Sequence, residues 1–340
     1  MQGVTDAPMR QLMGELGGFS LCVAEFLRIS QVAACVPVVA RHVPELRQAG
    51  ATSSGLPVQV QLLGGDPERL AASAQAAVRA QVGGPALGVD LNFGCPARTV
   101  NRHDGGASLL QHPGRLFLIV QAVRQALPPH IAVSAKLRLG WDDPRDVQRN
   151  AEQICRAGAS WITVHGRTRS QGYRPPAYWH PIGAVRRDLD IPVVANGDLW
   201  TLDDLRRCQD ATGCEHFMLG RCAMVDPSLA LRARAVLLGT PAPTALELNW
   251  LQLIQRLIVI TQASCKKVGK NPDYLPGRLK QWAKMVHDRR PTAWYERIKR
   301  LRSCEEIVFE LQQMRPESLQ VVHEECLGAA TLSGSTPQAC

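Results

Sequence analysis

What most restricts the fold of this chain is a repeated alternation of short, β-branched apolar runs with longer helical segments. The candidate strands are Leu21–Glu25, Val58–Leu62, Leu87–Asn92, Ala132–Leu137, Trp161–His165, Pro192–Asn196 and Phe217–Gly220. Between them lie segments with readable helix starts. Asp66-Pro67-Glu68 places an N-cap, a first-turn proline and an acid ahead of an alanine-rich run. His112-Pro113 precedes Leu116–Leu127, and Asp203-Asp204 opens a segment that ends before Gly213. Strands separated by helices are joined by crossovers and therefore run parallel, which predicts an α/β fold. Repeat units of roughly 25–40 residues suit a TIM (β/α)8 barrel better than a doubly wound sheet. No G-x-G-x-x-G follows an early strand, so the dinucleotide fingerprint of the doubly wound alternative is missing. The candidate strands number seven, one short of a full barrel. The chain opens with Met1-Gln2-Gly3-Val4-Thr5-Asp6, which reads as the loop after a strand; either the barrel is unusual or its first strand lies upstream of Met1.

A turn-rich stretch, Gly239-Thr240-Pro241-Ala242-Pro243-Thr244, interrupts the alternation. Beyond it Leu246–Val259, Leu279–Val286 and Ser303–Met314 have helical patterns. The predicted organisation is a barrel over residues 1–239, an all-helical domain over 240–327 and a disordered tail over 328–340, rich in small polar residues. At 340 residues the chain can bury a large core without disulfides or structural metals. No apolar run approaches the roughly 20 residues that span a bilayer, and the charged start (Asp6, Arg10, Glu15) shows no signal peptide. The eleven cysteines are odd in number and contain no C-x-x-C pair. They read as reduced thiols of a cytoplasmic protein, with no metal site expected.

Charge is unevenly distributed. The net charge is +9, yet residues 256–302 hold 13 Lys/Arg against 3 Asp/Glu, and the chain beyond is acidic. Such a block fits a polyanionic partner or, equally, a solvated helical face. The interleaved Tyr274, Trp282, Trp294 and Tyr295 favour nucleic acid.

Barrel enzymes carry their reacting groups at the C-terminal ends of the strands. Those ends here supply Glu25, Arg28, Gln61, Asn92, Cys95, Lys136, Arg138, His165-Gly166-Arg167, Asn196-Gly197-Asp198 and Gly220-Arg221. Backbone amides at Gly197 and Gly220, with Arg221, make a plausible phosphate cradle. Leu91-Asn92-Phe93-Gly94-Cys95-Pro96 fixes a tight turn that holds a thiol at the barrel mouth, as nucleophile, general acid or simply a structural cysteine. Gly105-Gly106-Ala107 would allow close backbone approach to a ligand. Lys136, within an apolar strand, needs an anion or an electron-rich partner. His165 reads equally as a ligand-facing or a core histidine.

Together these runs resemble the tRNA-dihydrouridine synthases, most closely the branch acting on uridine 16. The resemblance extends from Met1 to about Leu311 and rests on Met1–Asp6, Val60-Gln61-Leu62-Leu63-Gly64, Asp90–Thr99 and Lys136-Leu137-Arg138-Leu139-Gly140-Trp141. It continues through Val164–Thr168, Gln171-Gly172-Tyr173, Ala195–Asp198 and Leu219-Gly220-Arg221; Arg278-Leu279-Lys280-Gln281-Trp282 suggests the branch. It implies an FMN-bound catalytic barrel, a helical tRNA-binding domain and NADPH (or NADH) as reductant. Cys95 would protonate C5 of the uracil as hydride reaches C6. Met1, Gln2, Gln61, Lys136, His165, Asn196, Gly197, Asp198, Gly220 and Arg221 would hold FMN. Arg28, Asn92, Tyr173, Arg278, Lys280 and Lys299 would meet tRNA, from which the target base must flip. A monomer with tRNA as partner and no membrane association is expected. Two alternatives stand beside this reading: a flavin barrel acting on a free pyrimidine, and a non-catalytic tRNA-binding protein.

Overall fold

The computed structural model describes residues 4–240, 248–267, 269 and 271–322. The chain divides into two compact units. The first comprises the residues up to Ala7, Ser20–Asp198 and Arg206–Leu219; the second comprises Pro8–Phe19, Leu199–Leu205 and the chain from Gly220 onward.

The first unit is built on a parallel sheet. Its strands are β1 (Cys22–Val23), β2 (Leu27–Arg28), β3 (Val58–Leu63), β4 (Val89–Phe93), β5 (Val133–Arg138), β6 (Trp161–His165), β7 (Val193–Asn196) and β8 (His216–Met218). Both β1 and β2 pair with β3, and the ladder then runs in sequence order to β8 with every pairing parallel. The strand positions therefore number seven, as the sequence predicts. One expectation is corrected: the run Leu21–Glu25 is not one continuous strand. Val23 faces Gln59 but Leu27 faces Leu62, so five residues on one side oppose four on the other, a one-residue bulge. The bulge carries the strand position on to Arg28.

Helices follow the strands, and consecutive ones pack side by side: Pro67–Ala80 on Pro113–Ala126, the latter on Asp146–Arg156, and that on His180–Asp188. The predicted cap at Asp66 is present, its carboxylate accepting from the backbone N–H of Arg69 at 2.8 Å. This is the architecture of the (β/α) barrel.

Successive side chains on a strand point to opposite faces, and in-register neighbours on parallel strands share a face. On one face stand Val58, Val60, Leu62, Val89, Leu91, Phe93, Val133, Ala135, Leu137, Ile162, Val164, Val193 and Ala195, all buried. The other face carries Gln59, Gln61, Asp90, Asn92, Ser134, Lys136, Arg138, Thr163, His165 and Asn196. The sheet thus has an apolar face and a polar one. Lys136 lies on the polar face, so it is not an isolated cation within an apolar strand.

The second unit is helical, with Ala7–Leu16, Leu229–Leu238, Trp250–Lys267, Leu275–Arg289, Ala293–Ile298 and Cys304–Gln312 as its main elements. Its centre holds three buried indoles. Trp250 meets Trp282 edge-on at 5.3 Å and stacks on Trp294 at 5.4 Å, while Trp282 Nε1 donates to the carbonyl of Met224 at 2.8 Å. Trp282 and Trp294 are core residues, which corrects their reading as part of an aromatic platform for nucleic acid. Tyr274 remains exposed. Pro241–Thr244 and the expected tail at 328–340 lie outside the described residues.

Among the described residues no helix is long and apolar enough to cross a membrane, and no cluster of ligating side chains could hold a metal ion.

Candidate active site

Strand register assembles the polar face at its C-terminal end. Gln61 pairs with Asp90 and Asp90 with Ser134; one step further along, Asn92 pairs with Lys136. Arg138 pairs with His165, and His165 with Asn196. Residues from five strands so reach one end of one face without any long-range coincidence in the loops.

Lys136 is the site's cation. Its ammonium donates to Asn196 Oδ1 at 2.8 Å, and the Asn196 amide in turn donates to the carbonyl of Met218 at 2.7 Å. Burial, with Arg138 nearby, pulls the Lys136 pKa down to about 8, against the opposing pull of Asp90's charge. The ammonium is thus desolvated and bonded to a neutral amide, short of an anion.

Cys95 sits on the turn leaving β4. The backbone N–H groups of Gly94 and Cys95 both donate to Asn92 Oδ1 at 3.0 Å, and the Cys95 carbonyl accepts from Ala107 N at 3.0 Å and Asn101 Nδ2 at 2.9 Å. Its side chain packs on Phe26, Leu63 and Val100. Gly106 has φ +63, and a Cβ there would lie 2.8 Å from the Cys95 carbonyl oxygen and 3.1 Å from its Cβ. The close approach anticipated at Gly105-Gly106 is therefore made to the cysteine turn itself.

Arg138 ties this turn to the loop after β6. Its Nε donates to the Gly94 carbonyl at 2.8 Å, its Nη1 to Thr168 at 3.1 Å and Gly172 at 2.8 Å, and its guanidinium lies 5.3 Å from the Tyr173 ring. Burial pushes the Arg138 guanidinium below its ordinary value. Tyr173 is exposed. Arg28, at the end of β2, donates to the Thr99 carbonyl at 3.2 Å.

Gly197 adopts φ +119 and accepts from Trp179 Nε1 at 2.8 Å; Asp198, also left-handed, pairs with Arg167 and accepts from Ala177 N at 2.9 Å. The Asp198 carboxylate is committed to the protein, so what it offers a ligand comes from the backbone. Met1 and Gln2 fall outside the described residues.

In the second unit, Gly220 caps the short helix Arg221–Val225, and the Trp200 indole lies beneath two guanidiniums, Arg221 at 5.5 Å and Arg289 at 4.4 Å. Arg278 donates to Gln281 at 2.8 Å, Lys280 to the Leu301 carbonyl at 2.7 Å, and Lys299 to Glu296. Lys266, Lys267, Arg300 and Arg302 are exposed and, among the described residues, make no side-chain hydrogen bond. Sequence reading passed over these four because the charge run gives no sign of which members have local partners. It also passed over Asp90, although the alternation Val89-Asp90-Leu91-Asn92-Phe93 places that acid on the face of Gln61 and Lys136.

Comparison with known proteins agrees with this architecture. The chain is similar to histamine dehydrogenase from Rhizobium sp. 4-9 (TM-score 0.51, 14% identity, 76% of this chain and 47% of that one). It is also similar to a 2-naphthoyl-CoA reductase (TM-score 0.50, 13% identity, 70% and 47%). At such identities the likeness concerns the fold. Sequence relatives are far nearer. A tRNA-dihydrouridine(16) synthase of Shewanella oneidensis is 40% identical over 315 residues, covering 92% of this chain and 96% of the relative. One from Neisseria meningitidis serogroup A is 39% identical over 312 residues, covering 90% of each. The family model described as dihydrouridine synthase matches residues 1–314, which include the cysteine turn, the polar sheet face and most of the helical unit. On this match the chain belongs to the dihydrouridine synthase family.

Proposed function

We propose that this protein reduces the C5=C6 bond of uridine 16 in tRNA to 5,6-dihydrouridine, with Cys95 as proton donor. The observation that carries the reading is a cysteine on a cross-braced turn at the end of β4, next to the strand that carries the buried Lys136. Membership of the family supports uridine reduction in tRNA, and the names of the relatives support position 16.

The residues present fit FMN. A desolvated ammonium with, among the described residues, only a neutral amide bonded to it is suited to an electron-rich ring. Gln61, Lys136, His165 and Asn196 would hold the ring, and the backbone about Gly197 and Asp198 the phosphate; Met1, Gln2, Gly220 and Arg221 are assigned to FMN by the family resemblance alone. FMN reduced by NADPH, when bound, supplies the hydride taken by C6. Cys95 delivers the proton from Sγ to C5, where reduction leaves carbanion character. The Asn92 and Arg138 bonds hold the backbone from which that thiol projects. Arg28, Asn92 through its second amide hydrogen, and Tyr173 meet RNA from the first unit; Arg278, Lys280 and Lys299 do so from the second. The protein works as a cytoplasmic monomer.

The test is reduction of a tRNA transcript by the purified protein, with dihydrouridine mapped by position. Signal at 16, and a fall in turnover of about 100-fold or more in Cys95→Ala with flavin absorbance retained, are the expected results. Dihydrouridine elsewhere overturns the position; unimpaired turnover in Cys95→Ala overturns the proton donor.

A further inference from the structure

We propose that Asp90 is a positioning residue for the cysteine turn, acting through the side-chain amides of Gln61 and Asn92. The inference rests on the assignment of Cys95 as proton donor only for its functional meaning; the geometry stands by itself.

Backbone N–H groups can only donate, and those of Gly94 and Cys95 both point at one atom of Asn92 at 3.0 Å, which must therefore be its carbonyl oxygen. The amide nitrogen of Asn92 then faces the other way, toward Gln61 at 2.9 Å, and requires an oxygen there. With Gln61 Oε1 committed to Asn92, its Nε2 faces Asp90 Oδ2 at 2.7 Å and requires an acceptor. Asp90 meets that requirement, and its second oxygen accepts from Ser134 Oγ at 2.7 Å. Amide groups can otherwise be turned end for end. Here two of them are oriented in turn by the backbone N–H donors, so the chain of bonds has one polarity and must end on an acceptor.

Asp90 is 1% exposed, and its direct partners are uncharged. Burial pushes its carboxyl above the ordinary range, while Gln61, Ser134 and the charge of Lys136 oppose that shift. Burying a carboxyl among neutral groups opposes folding. The apolar face of the same strand already supplies the packing, with Val89, Leu91 and Phe93 all buried. Fixing the polarity of the relay is a role in which an aspartate does what neither leucine nor asparagine can: leucine accepts nothing, and an asparagine can present its N–H groups to Gln61.

The test compares Asp90→Asn, Ser134→Ala and the exchange Asp90→Asn/Gln61→Glu, each with FMN in excess. Iodoacetamide alkylation of Cys95 is followed by peptide mass spectrometry against the exposed Cys35 in the same sample. In Asp90→Asn the Cys95/Cys35 ratio of alkylation rates should rise at least threefold, and kcat should fall about tenfold with the KM for tRNA unchanged. Ser134→Ala, which removes one of the acid's donors, should raise the ratio about twofold. The exchange places an obligate acceptor at position 61, facing both the new amide at position 90 and that of Asn92. It should return the ratio to within twofold of wild type, whatever it does to flavin binding. A wild-type ratio in Asp90→Asn overturns the proposal, as does an exchange variant no better than the single one. Concerted labelling of the buried Cys208 and Cys214 would also overturn it, as general loosening. If Asp90→Asn does not fold, an unchanged ratio in Ser134→Ala overturns it. Because alkylation does not depend on catalysis, failure of Cys95 as proton donor would remove the expected fall in kcat but leave the alkylation outcomes untouched.

Discussion

Lys136 opposes folding of the protein by itself, and the sign of that effect can be measured. Its folded pKa of about 8 lies below the ordinary 10.5. Between those values the unfolded chain keeps the proton that the folded chain has shed, so stability rises with pH across that window. The penalty is at its full size below pH 8 and is gone above 10.5; it amounts to at most about 3 kcal/mol. Lys136→Met, without flavin, is expected to melt higher than wild type at pH 7 and to lose that advantage as the pH approaches 10.5. The same variant is expected to lose flavin absorbance. A lower Tm at pH 7 would show that the ammonium is stabilised by the protein alone. Asp90 is the companion case, a buried acid whose place on the polar face follows from period-two alternation, whereas its partners follow only from strand register.

Among the elements, the turn after β4 is the one most tightly specified. It is braced from Asn92 within its own strand, from Asn101 and Ala107 in the two short helical turns that follow, and from Arg138 on β5. Gly106 leaves no room behind it. Gly106→Ala would force a methyl to within 2.8 Å of the Cys95 carbonyl oxygen at a backbone angle of +63°. The expected outcome is a loss of turnover of tenfold or more with a drop of only a few degrees in Tm, read by steady-state kinetics and thermal melting. Equal turnover would mean that the turn can shift without consequence. Elements also show where sequence reading stopped. Helix starts were legible because capping is local: Asp66 and Ser303 are each followed by the backbone N–H that their side chain accepts. The bulge between β1 and β2 was not legible, because a one-residue offset exists only relative to the partner strand.

For the molecule as a whole, the basic block of residues 256–302 is less free than its sequence charge suggests. Arg256 pairs with Glu15 and Arg297 with Glu310, acids that lie outside the block, while Lys284 pairs with Asp288 within it. Lys280 and Arg290 each hold a backbone carbonyl. Paired cations release fewer counterions on meeting phosphate. Replacing Arg300 and Arg302 together by alanine is therefore expected to flatten the salt dependence of tRNA binding by about two units of log–log slope. Arg256→Ala should change it by less than one. Binding titrations from low to moderate salt decide this, and equal slopes for the two variants would refute it.

By itself the sequence determined the seven parallel strand positions, the helices between them, the helical character of the C-terminal region and the motifs by which the family is recognised. Each of these depends on periodicity, capping or spacing, which are properties of neighbours along the chain. Tertiary structure decided which groups meet: Lys136 with Asn196, Asn92 with the Cys95 turn, Asp90 with Gln61, and Trp282 and Trp294 with the core. Except for the Asn92 bonds, which span two and three residues and are as local as a helix cap, register and burial settle those pairings, and both are defined only once distant segments are packed.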